Sequence, residues 1–414
     1  MNLFKTSAYS AFSQATTVAV GLISVKIIAA SIGPSGVAIQ GQFINSTAII
    51  GIFANAAIGI GIVKYLAEYA NDQAKQLVVI KTALTLTLVC SLVMAFIPLI
   101  GAQWFTKSAL KDSQYAPAYW LYGIFLPLIS FNAQFSYILN GLKKIPALTI
   151  VNIFTSVVNL VMLITLTHKF GVLGVLISSS IVSVLVFCLN CYFFNKYRWF
   201  TFKELKPALN YDMVIRLLKF SAMSFTAGFG MPLAQILIRD NLIEKFGITQ
   251  AGYWQAITRI SDFYLTFLTS VLSVYFIPKL SELSNEKLIK KELYAIARFL
   301  FPVIIIQAFG IWLCKDLIIH YLLTEKFSPI RNLFHFQLTG DVFKVGGWVL
   351  SMILWSKAQT RKYIIIDASF LALLVLCSYI FVSIWGLIGA TIGFMVTYFL
   401  YFIVMIIVNR RYLL

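Results

Sequence analysis

Apolar stretches of roughly 20 residues alternate with short polar connections along the whole chain, the length and pattern of membrane-spanning helices. Twelve are predicted: 8–31, 37–62, 79–100, 117–140, 146–167, 171–194, 214–238, 249–277, 294–314, 330–355, 363–383 and 386–408. The runs Leu371–Trp385 and Gly386–Val408 contain no charge at all. Strict apolar–polar alternation, which an outer-membrane barrel would need, is missing. The predicted class is an all-α polytopic membrane protein with about 12 transmembrane helices in two six-helix lobes.

Composition agrees with this pattern. Of 414 residues, 60% are hydrophobic and 12% charged, and mean hydropathy is +0.87. A soluble domain carries about twice that share of charge, so a soluble fold is excluded. The net charge of +18 would suggest nucleic acid in a soluble protein. Here its distribution gives another explanation. Of the 33 Lys and Arg, 22 fall on the side of the membrane that holds both termini, 8 fall on the other, and Lys26, Arg259 and Lys344 sit inside spans. That bias places both termini in the cytoplasm and leaves no need for a nucleic-acid partner. The excess also attracts anionic membrane lipids. The N-terminus reads as an uncleaved first span. All five cysteines lie in or beside apolar spans, and the Cys188/Cys191 pair has no second pair to complete a metal site.

The longest predicted cytoplasmic connection falls near the middle of the chain. It divides an N-terminal lobe, 1–195, from a C-terminal lobe, 214–414, through a linker, 196–213. The halves repeat weakly. At an offset of 214, Lys5-Thr-Ser-Ala-Tyr-Ser10 meets Lys219-Phe-Ser-Ala-Met-Ser224, and Gly33 meets Gly247. At 215, Phe170-Gly-Val-Leu-Gly174 meets Trp385-Gly-Leu-Ile-Gly389. Two six-helix repeats of the same orientation imply a pseudo-two-fold axis along the membrane normal and a central cavity.

Charge within hydrocarbon costs several kcal/mol, so every ionisable residue inside a span requires a reason. Gln255, Arg259, Asp262, Thr266, Thr269 and Ser273 lie on one face of the eighth span, and Gln337, Asp341, Lys344, Trp348, Ser351 and Trp355 repeat the spacing on the tenth. Such stripes fit the walls of a hydrated cavity, with cations for an anionic substrate and carboxylates to carry a proton. The lesser alternative is that they form i,i+3 ion pairs, Arg259 with Asp262 and Asp341 with Lys344, that merely neutralise each other. In the first half, Ser10, Gln14, Thr17, Gly21 and Ser24 form a milder face, and Gln40, Gln42, Asn45 and Asn55 make the second span polar. Lys26 lies off that face near the outer end of its span. The candidate cavity residues are therefore Lys26, Asn45, Gln255, Arg259, Asp262, Gln337, Asp341 and Lys344, and the candidate proton carriers are Asp262, Asp341 and Asp367.

No catalytic constellation, metal site, nucleotide loop or cofactor motif is present. The longest outer loop, about 315–330, contains Leu317–Leu323, which reads as an interfacial helix. An enzyme of glycan assembly would need a larger outer loop, and an ATP-driven pump a nucleotide-binding domain. The chain reads as a transporter.

The segments Gly252-Tyr-Trp-Gln-Ala-Ile-Thr-Arg-Ile-Ser-Asp262, Ser273-Val-Tyr-Phe-Ile-Pro-Lys-Leu-Ser281 and Gln337-Leu-Thr-Gly-Asp-Val-Phe-Lys-Val-Gly-Gly347 resemble the Wzx-type flippases of O antigen and enterobacterial common antigen. Ser31-Ile-Gly-Pro-Ser-Gly36 and Gly61-Ile-Val-Lys-Tyr-Leu-Ala-Glu-Tyr69 are similar as well. The likeness covers essentially the whole chain and is nearest to the lipid III branch. It implies the V-shaped multidrug/oligosaccharidyl-lipid/polysaccharide exporter fold in the bacterial inner membrane, and as substrate an undecaprenyl-pyrophosphate-linked oligosaccharide of lipopolysaccharide or related glycan synthesis. Glycan polymerase and chain-length proteins are the candidate protein partners. The resemblance carries Asp262, Asp341 and Lys344 more firmly than Arg259, for which the branch has no arginine. The alternative is an ion-coupled small-molecule or drug antiporter of the same fold, for which an uncompensated carboxylate would suit a cationic cargo better.

Overall fold

The computed structural model describes residues 3–197, 208–282, 286–357 and 359–413, and every regular element among them is helical. In chain order the helices are α1 Leu3–Ala54, α2 Gly59–Glu68, α3 Gln73–Phe105, α4 Ala116–Gly141, α5 Ile145–Phe170, α6 Val172–Tyr197, α7 Tyr211–Phe246, α8 Ile248–Glu282, α9 Glu286–Leu313, α10 Phe334–Ser356, α11 Thr360–Trp385 and α12 Leu387–Val408. Helix α1 joins the first two predicted spans across a kink at Gly33, whose φ of 62° only glycine adopts without strain.

Eight helices among the described residues are long and apolar enough to cross a membrane, nine if the bent pair within α7 counts as one span. Neither α8 nor α10 is among the eight. These are the two helices that carry the charged stripes.

The second predicted span, 37–62, is broken. Between α1 and α2 the backbone turns through Ala56 and Ala57, both at positive φ (49° and 52°). Carbonyls freed by such a break need donors inside a membrane protein. Buried Gln134 of α4 donates to the Asn55 carbonyl at 3.3 Å, and Ser221 of α7 donates to that of Ala56 at 2.8 Å. Gly59 then fits flat against Tyr137, where a Cβ would sit 2.4 Å from the ring.

The chain divides into two compact units, Met1–Ile32 with Ile39–Leu233, and Gly33–Ala38 with Ala234–Leu414. In the first, Ile58, Ile62 and Leu66 pack with Val79, Ile80, Ile138 and Leu217. Leu217 belongs to the first half of α7, which explains why that half is part of this unit. Of the predicted linker, residues 198–207 lie outside the described residues.

Both sequence repeats use the same turn between their last two long helices. Gly171 and Gly386 have φ of 55° and 64°. Three residues on, a Cβ at Gly174 would stand 2.0 Å from the Leu166 carbonyl oxygen, and one at Gly389 would stand 2.0 Å from that of Phe381. Gly33 and Gly247, the other sequence-matched pair, are likewise both at positive φ. The glycine matches thus mark equivalent backbone geometry.

The loop before α10 is made of short helical turns. A single α-turn, Lys315–Leu317, runs into a π-turn, Ile318–Leu322, with Ile319 and Leu323 buried and Leu317 and Tyr321 exposed. A 3-10 segment, Glu325–Leu333, follows and buries Phe327, Ile330 and Leu333. Arg331 clips the loop to Asp316 at 2.7 Å.

Candidate functional site

The second unit gathers most of the charged stripe residues around α8 and α10. Their packing against α12 depends on glycines. A Cβ at Gly340 would meet the Phe394 ring at 2.5 Å and the Met395 Cα at 3.0 Å, and one at Gly347 would meet Tyr401 at 2.3 Å. With hydrogen at these positions, α10 lies close to α12 and its polar side chains become enclosed.

Asp341 is fully buried. Its Oδ2 accepts hydrogen bonds from Ser261 Oγ at 2.7 Å and Tyr264 Oη at 2.5 Å, both on α8. Oδ1 has no hydrogen-bond partner among the described residues, and neither do the two amide atoms of Gln337, one helical turn earlier and 1% exposed. Two hydroxyls therefore fix one carboxyl oxygen, while the other and the Gln337 amide keep unused hydrogen-bonding capacity.

Lys344 is 6% exposed, and its ammonium lies over three aromatic rings: Trp348 at 5.4 Å, Phe394 at 5.6 Å and Tyr398 at 5.4 Å from the centroids. The carboxylates of Asp262 and Asp341 act on it electrostatically. Aromatic faces solvate a desolvated cation through the ring quadrupole, at about 2 kcal/mol for a well-placed ring. A ring contributes no formal negative charge, so the cage stabilises the ammonium without cancelling its attraction for an anion.

Arg239, which loop-charge reading assigns to a connection after a span ending at 238, is instead wholly buried within α7. Its guanidinium donates to Gln255 Oε1 and lies 5.5 Å from the Trp254 ring centroid. The sequence signal that could have found it is the continuing apolar register: Ala234, Ile238 and Leu242 are buried at helical spacing on either side of it. Arg259 is half-buried and Asp262 accessible on the same helix, each acting electrostatically on the other.

The remaining predicted residues are placed elsewhere. Lys26, half-buried, and Asn45, buried, belong to the first unit. Asp367 is half-buried on α11, where its charge reaches Tyr398 and Tyr401. Within the stripes, Thr266 is exposed and Ser351 buried. The side chains of Ser10, Thr269, Ser273 and Trp355 lie outside the described residues.

A profile of the family described as "Polysaccharide biosynthesis protein" matches residues 3–284, well over half of the chain. The chain belongs to the polysaccharide biosynthesis protein family. Curated relatives include the lipid III flippases of Escherichia coli (strain K12) and Shigella flexneri, each 28% identical over 402 residues that cover 97% of both chains. Among solved structures, an inward-facing MATE transporter of the MOP superfamily matches with a TM-score of 0.80, covering 95% of this chain and 94% of its own at 17% identity. A MOP superfamily transporter from Pyrococcus furiosus matches with a TM-score of 0.70 at 17% identity, covering 98% and 95%. The chain shares the fold of these solved transporters.

Proposed function

We propose that the chain is a flippase that moves undecaprenyl-pyrophosphate-linked oligosaccharide units, of the O-antigen or lipid III kind, from the cytoplasmic to the periplasmic leaflet of the bacterial inner membrane by alternating access. A sugar and pyrophosphate headgroup cannot enter hydrocarbon without losing its hydrogen bonds to water. The polar interior around α8 and α10 supplies replacements, while the prenyl tail stays among lipids. The observation that carries the proposal is Lys344: a buried cation solvated by aromatic rings, which suits an anionic cargo. The full-length similarity to lipid III flippases supports the same cargo class.

In this mechanism Lys344 and Arg259 of the second unit meet the pyrophosphate. Gln255 and Gln337 bond the sugar hydroxyls. Asp341, with one oxygen unengaged, is the strongest of the three proton carriers, ahead of Asp262 and Asp367. The two sequence repeats, 1–195 and 214–414, are the bodies that rock, except that the first half of α7 moves with the first unit, in which Leu217 packs. With both termini in the cytoplasm, outward movement of the anion runs with an inside-negative potential, a gain of about 2.3 kcal/mol per charge per 100 mV. A cationic drug as cargo is disfavoured by the positive charge at Lys344.

The test is complementation in a strain lacking its own O-unit or lipid III flippase, supplied with the glycan cluster native to this chain. Restored appearance of lipid-linked units on the periplasmic face, lost in Lys344→Ala at equal protein level, is the expected result. Correct insertion without any restoration would overturn the cargo assignment.

A further inference from the structure

A groove runs between α9 and α10, away from the charged stripes. Its volume is about 260 Å³, and it is lined by Ile305, Phe309 and Trp312 of α9 and by His335, Thr339 and Phe343 of α10. Its walls are apolar, and Ile305 and Phe309 are more than half exposed, as befits side chains that face lipid. From Ile305 to Trp312 the groove runs about 10 Å along the helix axis.

One end is polar. Phe309 stacks on Trp312 with ring centroids 5.8 Å apart. Trp312 Nε1 donates to His335 Nε2 at 3.2 Å, so the ring nitrogen left to donate elsewhere is Nδ1. The Lys315 ammonium sits 4.3 Å over the Trp312 ring. The neighbouring acid, Asp316, is held by Arg331, and Lys315 forms no ion pair among the described residues. A tryptophan and a lysine at a helix end could serve as interfacial anchors alone. A flat anchor, however, does not explain a groove that leads from these groups into the hydrocarbon depth.

We infer that this groove is a binding site for an anionic phospholipid of the surrounding leaflet, with one acyl chain along Ile305, Phe309 and Phe343 and the phosphate at Lys315 and His335. Charge matching favours this occupant over the prenyl cargo. One uncompensated cation suits a phosphodiester with one negative charge, whereas a pyrophosphate calls for more than one. The loop-charge bias places this end of α9 and α10 at the periplasmic face, so the lipid comes from the periplasmic leaflet. The inference stands independently of what the transporter carries.

The experiment is native mass spectrometry of the full-length protein from detergent, titrated with phosphatidylglycerol, phosphatidylcholine and a polyprenyl phosphate. Wild-type protein should retain phosphatidylglycerol about fivefold better than phosphatidylcholine, the effect of one lysine near a charged headgroup. Lys315→Gln should remove that preference while leaving phosphatidylcholine binding unchanged. Thr339→Trp, which fills the groove from an exposed position, should lower retention of both lipids. Equal retention of the two lipids by wild type, or an unchanged preference in Lys315→Gln, would overturn the proposal. So would displacement of phosphatidylglycerol by equimolar polyprenyl phosphate, which would assign the groove to the cargo's tail.

Discussion

The two hydrogen bonds on Asp341 make the packing of α8 against α10 a measurable quantity. Tyr264→Phe removes the 2.5 Å bond and Ser261→Ala the 2.7 Å bond, both to the same carboxyl oxygen. Hydrogen bonds to charged groups contribute about 1.5–3 kcal/mol in soluble proteins. Interhelical bonds in membranes average about 0.6 and reach about 1.7 kcal/mol, because the unfolded chain also finds partners. The Tyr264 bond is short and Asp341 wholly enclosed, which puts it near the upper membrane figure, about 1.5 kcal/mol, with the Ser261 bond at about 1 kcal/mol. The assay is reversible unfolding in mixed micelles for a double-mutant cycle, Tyr264→Phe with Asp341→Leu, and a parallel cycle for Ser261→Ala. Single replacement of Asp341 by Leu also strands both hydroxyls, so it should cost more than either hydroxyl variant. Asp341→Asn keeps an acceptor oxygen and should cost least at this position. A coupling energy below about 0.3 kcal/mol in both cycles would refute the claim that these hydroxyls hold the carboxyl group.

Other outcomes follow from neighbouring geometry. Gln255→Leu removes the hydrogen bond that the buried Arg239 guanidinium donates and should destabilise by about 1.5–3 kcal/mol, the range for a hydrogen bond to a charged group, whereas Gln255→Glu should fold; thermal unfolding in detergent distinguishes them. Gly174→Ala and Gly389→Ala each drive a Cβ to within 2.0 Å of a carbonyl oxygen. Both should lower stability by about 3 kcal/mol or more, and similar losses in the two repeats would show that the turns are equivalent. Trp348→Leu removes one wall of the Lys344 cage, an expected loss of about 1–2 kcal/mol in ammonium stabilisation, and Trp348→Phe should recover most of it in a transport assay.

The helical architecture was legible because its causes are local. Most predicted stretches have the length and hydropathy of a membrane helix, and the glycine pairs Gly33/Gly247 and Gly171/Gly386 coincide with positive-φ turns that other residues avoid. The break after Ala54 was not legible. Ala56 and Ala57 carry no turn signal, and their left-handed backbone is held by Gln134 and Ser221, which are distant in sequence.

The candidate site divides in the same way. The α8 and α10 stripes were visible as helical periodicity, and that periodicity brings Asp341 and Lys344 onto one buried face. The partners that give these residues their character were not visible. Tyr264 lies off the α8 stripe, and Phe394 and Tyr398 come from α12, a helix with no charge at all. Arg239 was missed because Arg239-Asp-Asn241 resembles a polar connection, while the packing that buries it belongs to α7 and α8 together.

The central claim is that a buried, ring-solvated cation at Lys344 lets the protein carry an anionic lipid-linked sugar across the membrane. The most direct measurement is transfer of an undecaprenyl-pyrophosphoryl oligosaccharide between the leaflets of proteoliposomes, read by access of an externally added glycan-modifying enzyme. Wild-type protein should equilibrate the pool and Lys344→Ala should remain at the protein-free rate, at matched incorporation and thermal stability. Transfer by Lys344→Ala at the wild-type rate, or no transfer by wild type above protein-free vesicles, would contradict the account.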